Sequence, residues 1–252
     1  DMKSKTLYFT RPEQVEVREA ALPAPGRHEV LVRTAFSAIS PGTEMLVYRG
    51  EVDPGMALDE NIVALAGTLR YPFAYGSAPV GGVVRVGVDI SIEWLGRRVF
   101  AFHPHQDWFV AKPGELIAVP EDVEMEDAVF LPNMETALNF VMDGQPLVGE
   151  IAAVFGLGVV GLLTSAVLAQ FPLGGLVGFD CYEKRRGLAI EAGCSAALDP
   201  QSSDLLEWPE VRNRLFKGSG RDGFDLAFEV SGVPAALQNA IALTGYAGKV
   251  VV

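Results

Sequence analysis

Over the first 120 residues or so, apolar positions come in short runs cut by glycine and proline. VEVREAAL and EVLVRTAFSAI are rich in β-branched residues and are separated by the turn-forming stretch PAPGRH. VGGVVRVGVDI alternates small and branched residues, and GRRVFAF reads as a further strand. WFVAKPGELIAVPEDV continues the pattern, with turns at Pro113-Gly114 and Pro120. Many short strands with such turns predict a small barrel or sandwich. From about residue 124 the period lengthens. EMEDAVFLPNMETALNFVMDG has its carboxylates early and Ala128, Val129, Leu138 and Val141 on one face, which predicts one or two helices.

Beyond Gly149 strand and helix alternate. EIAAVF predicts a strand, GLGVVG a turn, LLTSAVLAQF a helix and GLVGFD a second strand. EKRRGLAIEAG then reads as helix, DLAFEV as strand, PAALQNAIAL as helix, and KVVV as the start of another strand. This order implies a parallel sheet with helices on its faces. The expected fold is therefore α/β, with a β domain over residues 1–130 and a doubly wound domain over 131–252. Such a domain normally has about six strands and the sequence supplies about five, so a C-terminal part is expected to be missing or shortened.

Residues 151–171 carry no charge and are long enough to span a bilayer. Three glycines interrupt them, no basic cluster flanks them closely, and no membrane helix is expected. The glycines have their own logic. Gly156-Leu157-Gly158-Val159-Val160-Gly161 matches G-x-G-x-x-G, follows a predicted strand and opens a predicted helix. Asp180 ends the next strand 19 residues after Gly161. In that setting Gly156 permits a tight turn, Gly158 lets backbone approach a pyrophosphate, and Gly161 lets the helix pack close to the sheet. The helix N-terminus then holds the anion. Asp180 would accept bonds from an adenosine ribose and repel a 2′-phosphate, which favours NAD over NADP. Lys184, Arg185 and Arg186 partly offset that repulsion, and Arg185 is counted among the cofactor residues.

Apolar residues make up 49% and charged residues 21%, a globular profile. The net charge of −12 sits mostly in residues 1–150, which carry 12 Lys and Arg against 22 Asp and Glu. An acidic surface repels phosphate backbones, so nucleic acid is not an expected partner. Cys181 and Cys194 fit neither a disulfide scaffold nor a four-thiolate zinc lobe. MKSKTLYF lacks the apolar stretch of a signal peptide, and a cytoplasmic location is expected.

A β-rich first half followed by strand–GLGVVG–helix resembles the medium-chain dehydrogenase/reductase superfamily. PGRHEVLVRTAFSAIS, VYRGE, LPNMETALNFV, DCYEKRRGLAIEAGCSAALDP and FEVSG match its segments in order. The resemblance implies a GroES-like β domain plus a Rossmann domain, with catalysis in the cleft between them. It also implies cofactor contacts from Thr136 and from Val230, Ser231 and Gly232 of FEVSG, and possession of a homodimer interface near the last sheet edge. Where zinc-dependent members have metal ligands, this chain has Ser40, Gly76-Ser77-Ala78 and Pro132, and HPHQDWFVAKPGE stands in place of the four-cysteine lobe. Serine and proline cannot supply such ligands, so no zinc is expected. The segment S-x-I-S-x-G-T-E resembles the subgroup typified by bacteriochlorophyllide a dehydrogenase, implying a substrate ranging from a small alcohol to one of tetrapyrrole size. Met45 stands where that subgroup often has arginine.

Oxidising an alcohol without a metal requires a positioned acid/base. Thr43 is the first candidate to relay the hydroxyl proton, and Glu44 to accept it or orient the relay. The alternative is a turn in which Thr43 bonds backbone and Glu44 is solvated. Ser40 and Ser77 are expected to line the cleft, with space filling as the other role. His103 and His105 would share a face if they lay in a strand and could then bind metal, for which two histidines without a third ligand are weak evidence; as a loop pair they are expected to contribute to substrate contacts or to nothing. His28 is expected to face solvent, and Tyr48 either to donate a proton to a substrate oxygen or, as aromatics near such a strand more often do, to join the core. Three functions are consistent with this pattern: an NAD-dependent, zinc-independent oxidoreductase acting on a secondary alcohol or ketone, a zinc-free quinone or enone reductase using NAD(P)H, and a non-catalytic nucleotide-binding protein.

Overall fold

The computed structural model describes residues 3–58, 62–201, 208–218 and 220–252, so part of the long 51–75 loop lies outside the described residues. The chain divides into two compact units, Asp1–Pro132 and Asn133–Val252.

The first unit is mostly β: β1 (Lys3–Arg11), β2 (Gln14–Ala21), β3 (Val30–Ser37), helix α1 (Thr43–Arg49), β4 (Phe73–Ala74), β5 (Pro79–Val86), β6 (Arg98–Ala101), β7 (Trp108–Ala111), β8 (Leu116–Ala118) and the short helix α2 (Met125–Ala128). Among the described residues, β7-β3-β5-β6-β8 form one antiparallel sheet and β2-β1-β4 another. Val30, Val32, Val83, Val99 and Phe109 are fully buried between these strands. Branched residues suit such pleated, buried surfaces. The β3–β5 register ends at Ser37 opposite Pro79, so the segment leaving β3 starts beside the one entering β5.

Two differences from the sequence pattern stand out here. KSKTLYFTR forms β1 although its pattern predicted no strand; only Ser4 and Phe9 of it are buried, too few to signal alternation. The Thr43–Glu44 bend is in fact the start of α1, and Glu44 is buried rather than solvated. Tyr48 packs against the cluster of Phe9, Val47, Leu69 and Phe73, as expected of it.

The second unit continues with α3 (Leu131–Gly144), β9 (Ile151–Phe155), α4 (Val159–Leu168), β10 (Gly175–Phe179), α5 (Glu183–Glu191), β11 (Ala196–Leu198), α6 (Trp208–Phe216), β12 (Phe224–Glu229), α7 (Pro234–Leu243) and β13 (Thr244–Val251). The sheet order among the described residues is β11-β10-β9-β12-β13, all parallel. Every residue of β9 is buried, because helices cover both faces of a central parallel strand. Ile151, Ala153 and Phe155 serve one face, and Ala152 and Val154 the other. Phe155 stacks on Phe179 with ring centroids 4.5 Å apart and planes 4° from parallel. Leu138 does not share the buried face of α3: it is 44% exposed, and Ala137, Val141 and Gly144 point inward instead. The uncharged run over 151–171 splits into β9, a turn and α4, and among the described residues no helix is long and apolar enough to cross a membrane.

Candidate active site and cofactor cradle

The glycine turn sits where the sheet order reverses. β9 is flanked by β10 on one side and β12 on the other, so consecutive connections leave in opposite directions at its C-terminal end. Such switch points open a crevice at the strand ends. The three glycines of the turn differ in what demands them. Gly156 has φ +93°, and a Cβ there would lie 2.8 Å from the Ser231 Cα. At Gly161 a Cβ would lie 1.8 Å from the Gly156 carbonyl oxygen, so α4 could not lie against the turn with any larger residue. Gly158 is in an ordinary backbone region, with φ −69°, and a Cβ there would meet nothing within 4 Å. The fold itself therefore requires Gly156 and Gly161 but not Gly158.

Val159, Val160 and Gly161 open α4, where helix geometry leaves N–H groups without an intrahelical acceptor. Leu157 is fully buried, and its N–H donates to Asp180 Oδ2 at 2.8 Å. Asp180 Oδ1 accepts from the Tyr182 N–H at 2.8 Å, so the carboxylate is fixed at the end of β10 and tied to the turn. Arg185 Nη1 stands 3.4 Å from Asp180 Oδ2, with its guanidinium stacked 4.7 Å from the Tyr182 ring centre. Arg186 is committed elsewhere, to the Asp180 carbonyl oxygen and to Asp199. Partial desolvation, reinforced by Asp199 and Asp180, pushes the thiol of exposed Cys181 up, and burial does the same to Cys194.

FEVSG packs on the glycine turn. The Val230 N–H donates to the Phe155 carbonyl at 2.9 Å. The buried Glu229 carboxylate accepts from both the backbone N–H and the hydroxyl of Ser231, and Ser231 Oγ in turn accepts from the Val233 N–H. Ser231 and Gly232 remain exposed, and so does Thr136 on α3. Gly156, Leu157, Gly158, Asp180, Val230 and Ser231 are thus joined in one cradle by contacts within this unit.

The first unit holds a polar chain. Glu44 falls one turn before Val47 on the inward side of α1 and is 2% exposed. A buried carboxylate needs partners. Its Oε1 accepts from the Ser40 N–H at 2.9 Å, while its own N–H donates to the Ser40 carbonyl at 3.1 Å. Its Oε2 lies 2.7 Å from His105 Nε2. The other ring nitrogen, Nδ1, is 2.5 Å from Ser37 Oγ. The 102–107 segment that carries His105 is pinned on both sides: the Leu7 N–H donates to the His105 carbonyl and the His105 N–H to the Tyr75 carbonyl. Gly76, at φ +140°, clears room for the ring, since a Cβ there would come within 2.8 Å of His105 Nε2. Removing one partner of a buried pair of this kind costs about 3–5 kcal/mol.

Of the residues expected in this site, Ser40 and Glu44 are brought together. Thr43 lies next to them on the exposed side of α1, and Ser77 is half-buried beside Gly76. Ser37 was not anticipated, and His105 was considered only as part of an H-x-H pair. The two histidines share no partner: His103 lies against Phe109, ring centres 4.5 Å apart, with Nδ1 2.8 Å from Gln106 Nε2. Burial lowers the His103 pKa to about 4. His28 faces solvent near Asp89. The signal for His105 was Glu44 itself, at helical spacing from Val47 and therefore buried, with need of a polar partner. Among the described residues no three or more His, Cys, Asp and Glu side chains gather in a way that holds a metal ion.

An antiparallel β unit followed by a five-stranded, doubly wound unit with a glycine turn is a fold this chain shares with solved dehydrogenases. No family model matches the chain. It is 25% identical to D-guloside 3-dehydrogenase of Escherichia coli K12, over 98% of this chain and 72% of that protein. It is 28% identical to (R,R)-butanediol dehydrogenase of Bacillus subtilis 168, over 72% of this chain and 60% of that protein. A zinc-type alcohol dehydrogenase-like protein of E. coli K12 is 23% identical, over 97% of this chain and 75% of that protein. Among solved structures, an alcohol dehydrogenase from E. coli CFT073 complexed with NADH superimposes with TM-score 0.75 and 21% identity, over 98% of this chain and 75% of that one. A Sinorhizobium meliloti 1021 protein bound to NADP gives TM-score 0.77 and 20% identity, over 99% and 76%.

Proposed function

We propose that the chain is an NAD-dependent, zinc-independent oxidoreductase that interconverts a secondary alcohol and its ketone. The observation that carries the proposal is Gly158. Neither backbone conformation nor packing asks for glycine there, and a ligand approaching the backbone at the start of α4 does. Gly156, Leu157, Gly158, Val159, Val160 and Gly161 would hold the pyrophosphate, Asp180 and Arg185 the adenosine ribose, and Thr136, Val230, Ser231 and Gly232 the nicotinamide half. When bound, that group supplies the hydride acceptor or donor. The carboxylate of Asp180 favours NAD. Solved relatives of this fold carry NADH in one case and NADP in another.

The substrate class follows from chemistry and from names. Relatives act on D-guloside, (R,R)-butanediol and L-threonine, all of which bear hydroxyl groups. Zinc does not fit the residues present. Ser40 and Ser77 are neutral hydroxyls, and the carboxylate and imidazole nearby are bonded to each other. In this reading Thr43, which is exposed, contacts the reacting oxygen and takes part in proton transfer, with Ser40 and Ser77 as further hydrogen-bonding hydroxyls and Glu44 orienting them.

The test is turnover of secondary alcohols with NAD by enzyme stripped with a chelator, alongside metal analysis. Full activity at far less than one zinc per chain supports the proposal. Activity that returns only with stoichiometric zinc and is lost on substituting Ser40 or Ser77 contradicts it. Thr43→Ala should lower alcohol turnover by about 10²-fold. Quinone reduction that survives this change while alcohols are never oxidised would instead mark a quinone or enone reductase.

A further inference from the structure

We propose that the proton released from the substrate alcohol comes to rest on His105, delivered by Ser37, with Glu44 holding the imidazole in the receptive tautomer. This rests on the alcohol-oxidising function proposed above and names the base that function lacks.

Ser37, His105 and Glu44 form a continuous chain from the half-exposed end of β3 into the interior. Ser37 is half-buried, the imidazole is buried, and the carboxylate behind it is buried more deeply still. With Glu44 ionised, its Oε2 accepts from the His105 Nε2–H at 2.7 Å, which leaves the Nδ1 lone pair to accept from the Ser37 O–H at 2.5 Å. This is the hydroxyl–imidazole–carboxylate order that activates a serine elsewhere, with the two ring nitrogens exchanged. The carboxylate cannot turn away, because its other oxygen takes the Ser40 N–H. The ring cannot turn away either, because its backbone is bonded on both sides and Gly76 lies against its edge.

In the oxidative direction the substrate O–H bond breaks and its proton passes to Ser37 Oγ, as the serine's own proton moves to His105 Nδ1. A bound oxidised nicotinamide dinucleotide would supply the acceptor for the carbinol C–H pair as hydride, which balances formation of the C=O bond. The imidazolium that results is paired with Glu44 without rearrangement. Ketone reduction runs the same transfers backwards. Ser37 joins Thr43 as a group that touches the reacting oxygen, Thr43 by hydrogen bonding to it and Ser37 by taking its proton, and His105 and Glu44 are positioning residues that act through Ser37.

Three variants and one spectrum test the proposal. Ser37→Ala should reduce kcat by about 10²-fold or more while KM changes by less than about threefold, and Ser37→Thr, which keeps the hydroxyl, should recover most of the loss. His105→Gln can still donate to Glu44 and accept from Ser37 but cannot take a proton. It should fold, bind NADH as tightly as the parent, and lose kcat together with the pH dependence of kcat. Independently of turnover, the ¹⁵N spectrum of histidine-labelled protein without cofactor should show His105 neutral, with the proton on Nε2. Wild-type kcat in His105→Gln or Ser37→Ala, or a doubly protonated His105 in the resting protein, would overturn the relay and leave the dehydrogenase function standing. Failure of the parent protein to bind NADH or oxidise any alcohol would count against that function instead, while the spectrum still reports on the chain of hydrogen bonds.

Discussion

His103 shows how one partly buried imidazole can weaken the fold towards acid. Its pKa falls from the ordinary 6.5 to about 4 because burial disfavours the charged ring. Its Nδ1 meanwhile sits 2.8 Å from the Gln106 amide, an arrangement that suits a neutral acceptor. The folded value lies below the unfolded one, so between the two the unfolded chain binds more protons. Stability should therefore decline as pH drops from about 6.5 towards 4, by up to about 3 kcal/mol. Urea denaturation of the parent and His103→Phe across that range checks this, with a shallower decline expected in the variant. Gly161 makes the opposite kind of demand, which is steric and independent of pH. Its missing Cβ would fall 1.8 Å from a carbonyl oxygen, so Gly161→Ala should lower Tm by several degrees, read by differential scanning calorimetry. At this scale the sequence revealed the glycines and Asp180 through their spacing. Ser37 and His105 lie 68 positions apart and are joined only by tertiary structure, which no local pattern reports.

The elements that were legible are those whose apolar period is long or dense. β9, α4, β10, α5, β12 and α7 all lie where the pattern of the second half placed them. β1, β11 and α6 were missed for physical reasons. β1 buries only Ser4 and Phe9, β11 is three residues long, and α6 is nine residues long with Glu210, Arg212, Asn213 and Arg214 among them. The strength of β9 comes from being enclosed on both sides. Phe155 is 1% exposed and stacked on Phe179, so Phe155→Ala should destabilise the second unit by about 3–5 kcal/mol. Chemical denaturation followed by tryptophan-independent circular dichroism would measure it. A cost below about 1 kcal/mol would show that the sheet face repacks freely.

For the whole molecule, the sequence conveyed fold class and the two-part organisation because strand-rich and alternating halves differ in period. It conveyed the glycine turn and its aspartate because three glycines and Asp180 fall on one βαβ unit. Preference between dinucleotides belongs to this scale, since it weighs Asp180 against the cations that follow it. Asp180→Ala removes the carboxylate that would repel a 2′-phosphate and leaves Arg185 in place. The ratio of NADPH to NADH affinity should rise at least tenfold, measured by fluorescence titration, and an unchanged ratio would place the discrimination elsewhere.

The central claim, that a dinucleotide pyrophosphate lies against the backbone where α4 begins, is tested most directly by calorimetric titration of the parent and Gly158→Val with NADH. The parent should bind saturably at one site per chain. The variant should keep the parent's Tm, because nothing lies within 4 Å of a Cβ at that position, and should lose measurable binding. Equal affinity in the two proteins, or no saturable binding by the parent, would contradict the account.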